Sequence, residues 1–166
     1  MRKTQKAHRS NSIQHRESGS WVDTLVAKAV FSEIQNLSSI WLFDWKTAYA
    51  KYPIYKLTTV ASPETIQGLM SVEENKGFLF VPLIENAPHN RSKDKEFRAV
   101  PGNLFAFACK LSDEKGFGGF VAFDAKTALI EHYRNTLGAQ SIGHSSRMFI
   151  DEKQAQTLIS FHFPKP

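Results

Sequence analysis

Apolar and polar positions alternate in two rhythms along the chain. Ser20 precedes Val22, Leu25, Val26, Ala29, Val30 and Ile34, whose helical spacing predicts a Ser-capped helix over about 21–36. Four short apolar runs follow: "SIWLFDW" (39–45), "YPIYKLTTVA" (52–61), "IQGLMSVEE" (66–74) and "KGFLFVPLIEN" (76–86). They read as strands. The "SPET" and "ENKG" turns between the later ones are short, so neighbours should pair antiparallel. Pro82 interrupts the last run, which implies an edge strand or a bulge.

The second half has a slower period. A charged loop over about 87–101 leads to a predicted helix over about 102–115, with Leu104, Phe105, Phe107, Ala108 and Leu111 on one face. "GGFVAFD" (118–124) is a compact apolar strand. "KTALIEHYRNTLGA" (126–139) predicts a helix with Leu129, Ile130, Tyr133 and Leu137 inward and Gly138 near its end. "SRMFID" (146–151) should be a strand, and 152–163 a last helix stopped by Pro164. A strand–helix–strand passage needs a parallel pairing with a right-handed crossover. The expected fold class is therefore α/β, a mixed, mostly antiparallel sheet with helices on its faces.

Charge changes the picture only at one end. The net charge is +5 over 166 residues, but residues 1–20 hold Arg2, Lys3, Lys6, Arg9 and Arg16 against Glu17 alone. The remainder is nearly neutral. With one Ile and no periodicity, 1–20 reads as a disordered basic arm, leaving 21–166 as a single domain. The functional alternative for the arm is a weak electrostatic contact with nucleic acid. No apolar stretch is long enough to span a bilayer. The solitary Cys109 excludes an internal disulfide and fits the reducing cytoplasm. The histidines lack metal-ligand spacing, so no metal is expected.

Residues 76–139 resemble the core of the GNAT superfamily of acyl-CoA-dependent N-acetyltransferases. "GFLFVPLIEN", "RAVPGNLFAFACKLSDEKG", "GGFVAFD" and "TALIEHYRNTLGA" follow that family's order of bulged strand, phosphate-binding loop, helix, strand and Tyr-bearing helix. The resemblance implies a GNAT-like sheet with helices on both faces and acetyl-CoA as cosubstrate. It implies an N-acetyltransferase acting on a primary amine. The alternative is a GNAT-like module that binds CoA or a protein without catalysis. In the family's loop motif, small residues follow an Arg or Gln. Starting from Arg98, Pro101 and Asn103 fall at those positions and Gly102 lies between them.

Candidate residues follow from this alignment. A CoA pyrophosphate would meet the helix start over Gly102, Asn103, Leu104 and Phe105, where unpaired N–H groups and the helix dipole attract anions. Arg98 would add a charge-assisted bond. The bland reading is that Pro101–Gly102 is only a helix-starting turn. Leu83 and Ile84 would flank the pantetheine arm where the bulged strand parts from its neighbour. Tyr133 matches the family's Tyr, which protonates the departing thiolate; it also sits on an apolar stripe and reads equally as a core Tyr. Glu85 is the best-placed general base, ahead of Glu73 and Glu74. The edge of such a sheet allows a homodimer.

Overall fold

The computed structural model describes residues 8–165, with side chains from residue 12 onward. Strands β1 (His8–His15) and β2 (Trp21–Lys28) form an antiparallel hairpin. Two short helices follow, α1 (Phe31–Gln35) and α2 (Trp45–Lys51). Then come β3 (Ile54–Thr59), β4 (Gly68–Ser71), β5 (Glu73–Glu74), β6 (Leu79–Val81), β7 (Ile84–Asn86) and β8 (Phe97–Arg98). The long helix α3 (Val100–Glu114) leads to β9 (Val121–Asp124), α4 (Ile130–Leu137), β10 (Gln140–Ser141), β11 (Arg147–Ile150) and α5 (Glu152–His162).

One sheet runs β7-β4-β3-β2-β1-β8 and the other β10-β11-β9-β6-β5. Among the described residues every pairing is antiparallel except β6 with β9, the pair joined by the α3 crossover. The first sheet carries helices on both faces, as expected. Ile54 and Leu69 pack with Ile34, Trp45 and Ala48 of α1 and α2. Val26, Leu57 and Met70 pack with Leu104, Phe107 and Leu158 of α3 and α5. Gly68, where a Cβ would stand 2.7 Å from Val100 Cγ1, lets the first turn of α3 seat against β4.

Three expectations give way here. The predicted helix over 21–36 is a strand followed by a five-residue helix. Thr24 and Val26 point inward at period two, and strands on both sides supply the ladder, so β-branched residues settle into the sheet. The predicted strand over 39–45 is a loop that ends in a capped helix. The Asp44 carboxylate accepts from Thr47 N (3.1 Å) and from Thr47 Oγ1 (2.7 Å), and this starts α2. The expected disordered arm is, over its described residues 8–20, strand β1 and its turn. Its one Ile, Ile13, is fully buried, and the backbone ladder to β2 and β8 holds an otherwise polar segment. Residues 1–7 of that arm lie outside the described residues.

The second half follows its pattern closely. Helix α3 starts two residues before the expected 102 and carries much of the core. Burial pushes the Cys109 thiol well above its ordinary pKa, consistent with an inert core residue. Gly138 ends α4 in the left-handed conformation (φ 66°). Leu129, expected inward, is exposed, because a 3₁₀ turn precedes α4 and rotates it outward.

Candidate functional site

Pro82 divides one apolar run between two sheets. Before it, β6 lies parallel to β9, with Leu79 opposite Val121 and Val81 opposite Phe123. After it, β7 pairs with β4 and leaves β9. At the junction, Ser71 N donates to Leu83 O (2.9 Å), and Leu83 N donates to Ser71 Oγ (2.9 Å). Pro82 has no N–H to give, so the ladder breaks where the side chains demand a change of face. Leu83 packs toward α1 and α2, and Ile84 toward the α3 layer. A gap therefore opens between β7 and β9 beyond the Val81–Phe123 pair.

Tyr133 stands at this fork. Its half-buried ring lies edge-on to Phe123 at 5.3 Å and to Phe105 at 5.7 Å. Burial raises its pKa above the usual phenol value, so the hydroxyl keeps its proton through neutral pH. The residue is both a member of the apolar stripe and a phenol that stays protonated, its ring packed against Phe123 beside the parting strands.

A cleft of about 560 Å³ lies at the start of α3, lined by Asn86 at the end of β7, Lys95, Arg98–Gly102, residues of α4, and Phe161 and His162 of α5. Ala99 holds φ 69° and ψ 17°, the one non-glycine with positive φ among the described residues. This strained turn aims the chain into the helix. Asn103 N donates to Ala99 O (3.0 Å), the first helical bond. The N–H groups of Val100 and Gly102 thus have no partner within the helix, and Pro101 has none to offer.

Of the expected phosphate contacts, Arg98 and Gly102 border the cleft. Asn103, Leu104 and Phe105 do not. The earlier helix start puts their N–H groups inside the helical ladder, and all three side chains are fully buried. Asn103 turns inward and donates through Nδ2 to Ser12 Oγ, in the β1 bulge.

The loop is staked from the N-terminal hairpin. Gln14 and His15 pair with Arg98 and Phe97. Arg16 N donates to Glu96 O (2.9 Å), and Arg16 Nε donates to Lys95 O (2.6 Å). Asn90 Oδ1 accepts from Phe97 N at 2.9 Å. The segment read as a free arm is thus a support of the loop that leads into α3.

Glu85, the expected base, has a different task. Its carboxylate accepts from Leu42 N (2.7 Å), Phe43 N (3.1 Å) and Trp45 Nε1 (2.9 Å), and pairs with Arg91 Nη2 at 3.3 Å. Arg91 Nη2 also donates to Ile40 O at 2.6 Å. A buried carboxylate so engaged binds the 38–45 loop to β7. Both of its oxygens are taken by these partners, so it has no free acceptor to offer an amine. Glu73 and Glu74 lie at β5, and Lys115 pairs with Glu74.

Arg91 and His162 were missed by the sequence reading. Arg91 sits in a charged loop without periodicity, and His162 lies on a helix outside the segment that resembles a known family. Burial lowers the His162 pKa to about 4, against an opposing pull from the Ser12 backbone. Among the described residues no group of three or more His, Cys, Asp or Glu is placed to hold a metal, and no helix is long and apolar enough to cross a membrane.

No family model matches the chain, and comparison with curated proteins found no match. Solved structures do match its shape. A GNAT-family acetyltransferase from Listeria monocytogenes superposes with a TM-score of 0.56 at 12% identity, over 77% of this chain and 93% of that one. AtaTR bound with AcCoA gives 0.53 at 10% identity, over 81% and 98%. A spermidine N-acetyltransferase chimera of Vibrio cholerae SpeG and hSSAT gives 0.53 at 11% identity, over 80% and 98%. The architecture is that of the GNAT-superfamily acetyltransferases.

Proposed function

We propose that this chain, which has the GNAT fold, is an N-acetyltransferase that moves an acetyl group from acetyl-CoA to a primary amine. The observation that carries this reading is the parting of β7 from β9 beside the open first turn of α3. A gap between strands offers unpaired backbone groups to an extended, amide-bearing arm. A helix N-terminus suits the attached pyrophosphate. Lys95 and Arg98 at the cleft add positive charge.

In this reading the amine nitrogen attacks the thioester carbonyl carbon. The carbon–sulfur bond breaks, and the Tyr133 hydroxyl gives its proton to the leaving thiolate. The amine's surplus proton passes to water, since Glu85 is committed to the 38–45 loop. Leu83 and Ile84 flank the arm, and Arg98, Val100 and Gly102 face the pyrophosphate.

Titration calorimetry with acetyl-CoA, followed by thiol release over a panel of amines, tests the proposal. Saturable binding and amine-dependent thiol release are expected. No binding at millimolar ligand would sink it. Binding without transfer to any amine would favour a CoA-binding module instead, the reading to which the occupied Glu85 carboxylate lends weight.

A further inference from the structure

We propose that the cleft at the start of α3 is an adenine site, in which Phe161 stacks on the base and Asn86 and His162 accept hydrogen bonds from its exocyclic amine. That this adenine is the one CoA carries rests on the proposed function. The demand for an amine-bearing base rests on the cleft alone.

The unpartnered atoms of the cleft share one chemical sense. His162 is 5% exposed, and its neutral ring has a single N–H, which the Ser12 backbone draws. Nδ1 is left as a bare acceptor. Asn86 Nδ2 donates to Asn90 O at 3.4 Å, so the bare atom of that amide is its acceptor, Oδ1. Arg91 Nε is also bare, away from this cleft, so a missing partner alone does not mark a site. Here both residues line one cleft, and both atoms call for an N–H donor. A phosphate brings none, whereas the adenine amine brings two.

The cleft also has an open aromatic wall. Phe161 lines it and is 59% exposed, the most exposed phenylalanine of the described residues. Trp21 lies 5.6 Å from its ring at 80°, and His162 lies 4.8 Å away at 79°. Both neighbours stand nearly perpendicular to the ring, so neither stacks on it face to face. A planar base gains by stacking on such a ring, and water does not. Lys95 and Arg98, on the loop side, supply positive charge for the phosphates a nucleotide carries. An aromatic wall, two acceptors and two cations complement an adenine nucleotide. A purine with a carbonyl in place of the amine would set an acceptor against acceptors.

Calorimetry with ADP, IDP, CoA and 4′-phosphopantetheine tests the assignment on the parent, Phe161→Ala, Phe161→Tyr and Asn86→Leu. IDP has a carbonyl where ADP has the amine, so the parent should bind ADP roughly tenfold more tightly. Phe161→Ala changes an exposed side chain. It should weaken ADP, IDP and CoA roughly tenfold and leave phosphopantetheine unchanged. Phe161→Tyr keeps the ring and should match the parent. Asn86→Leu should narrow the preference for ADP over IDP.

Equal affinity of the parent for ADP and IDP would overturn the proposal. So would unchanged ADP and CoA affinities in Phe161→Ala, or a loss of phosphopantetheine as large as that of ADP. Should Asn86→Leu fail to fold, ADP against IDP on the parent decides. A parent that binds ADP in this pattern but not acetyl-CoA would refute the proposed function and sustain this inference. A parent that binds acetyl-CoA with no loss in Phe161→Ala would do the reverse. A parent that binds neither ligand would overturn both.

Discussion

The two sides of β7 engage their polar groups to different degrees. Toward α1 and α2, Glu85 meets three N–H donors and Arg91. Toward the cleft, Asn86 Oδ1 and His162 Nδ1 lack partners, and the first turn of α3 keeps N–H groups outside its ladder. On the first side the Glu85 carboxylate is fully engaged, although Arg91 Nε is buried without a partner. The other has donors and acceptors with nothing to meet. Saturated groups such as the Glu85 carboxylate hold a fold together. The same comparison moves Glu85 out of the reaction.

The comparison breaks most sharply at Glu85. Glu85→Ala strips an acceptor from three donors and leaves Arg91 without its carboxylate. It should destabilise the protein by about 3–5 kcal/mol in denaturant unfolding. A loss under about 1 kcal/mol would show that the 38–45 loop does not depend on this carboxylate.

Acid should act on the open side. The folded pKa of His162 is about 4, below the ordinary histidine value, so below pH 6.5 the unfolded chain takes up a proton that the folded chain refuses. Stability is therefore full above the unfolded pKa and falls as the pH drops toward the folded one, by up to about 3 kcal/mol from this residue. Unfolding curves of the parent and His162→Phe should diverge across that window and run parallel above it. Parallel curves throughout would place His162 in a more polar setting than its burial indicates.

Tyr133→Phe sharpens the comparison at the fork. Acetyl transfer should fall roughly 10²-fold, while CoA affinity stays near that of the parent. With its pKa raised, the hydroxyl remains protonated past the ordinary phenol range, so the parent's acid-dependent rate should persist into alkaline solution. Unchanged single-turnover rates in Tyr133→Phe would return this residue to the apolar stripe alone.

Much of the second half was legible in the sequence, because long amphipathic segments carry their own period. Leu104, Phe105, Phe107 and Ala108 announce α3, and Tyr133 with Leu137 announces α4. Pro82 announced the break that splits β6 from β7. The first half was read less well for a physical reason. Val22, Leu25 and Val26 satisfy a helical spacing, and Thr24 with Val26 satisfies an alternating one. Which wins depends on partner strands that local sequence does not contain. The polar run at residues 8–15 gives almost no apolar signal, since its ladder to β2 and β8 is made by backbone groups common to every residue.

The site divides along the same line. Sequence order alone placed a bulged strand before a Pro–Gly helix start, and a tyrosine on the helix after the next strand. These features are encoded locally, by proline's missing N–H and by apolar spacing. Tertiary structure decided that the helix begins at Val100, so Leu104 and Phe105 belong to the core. It committed Glu85 to a loop more than forty residues away. It also set a histidine from the last helix over Gly102. Hydrogen-bond saturation and burial are properties of neighbours brought together by folding, and no local pattern along the chain records them.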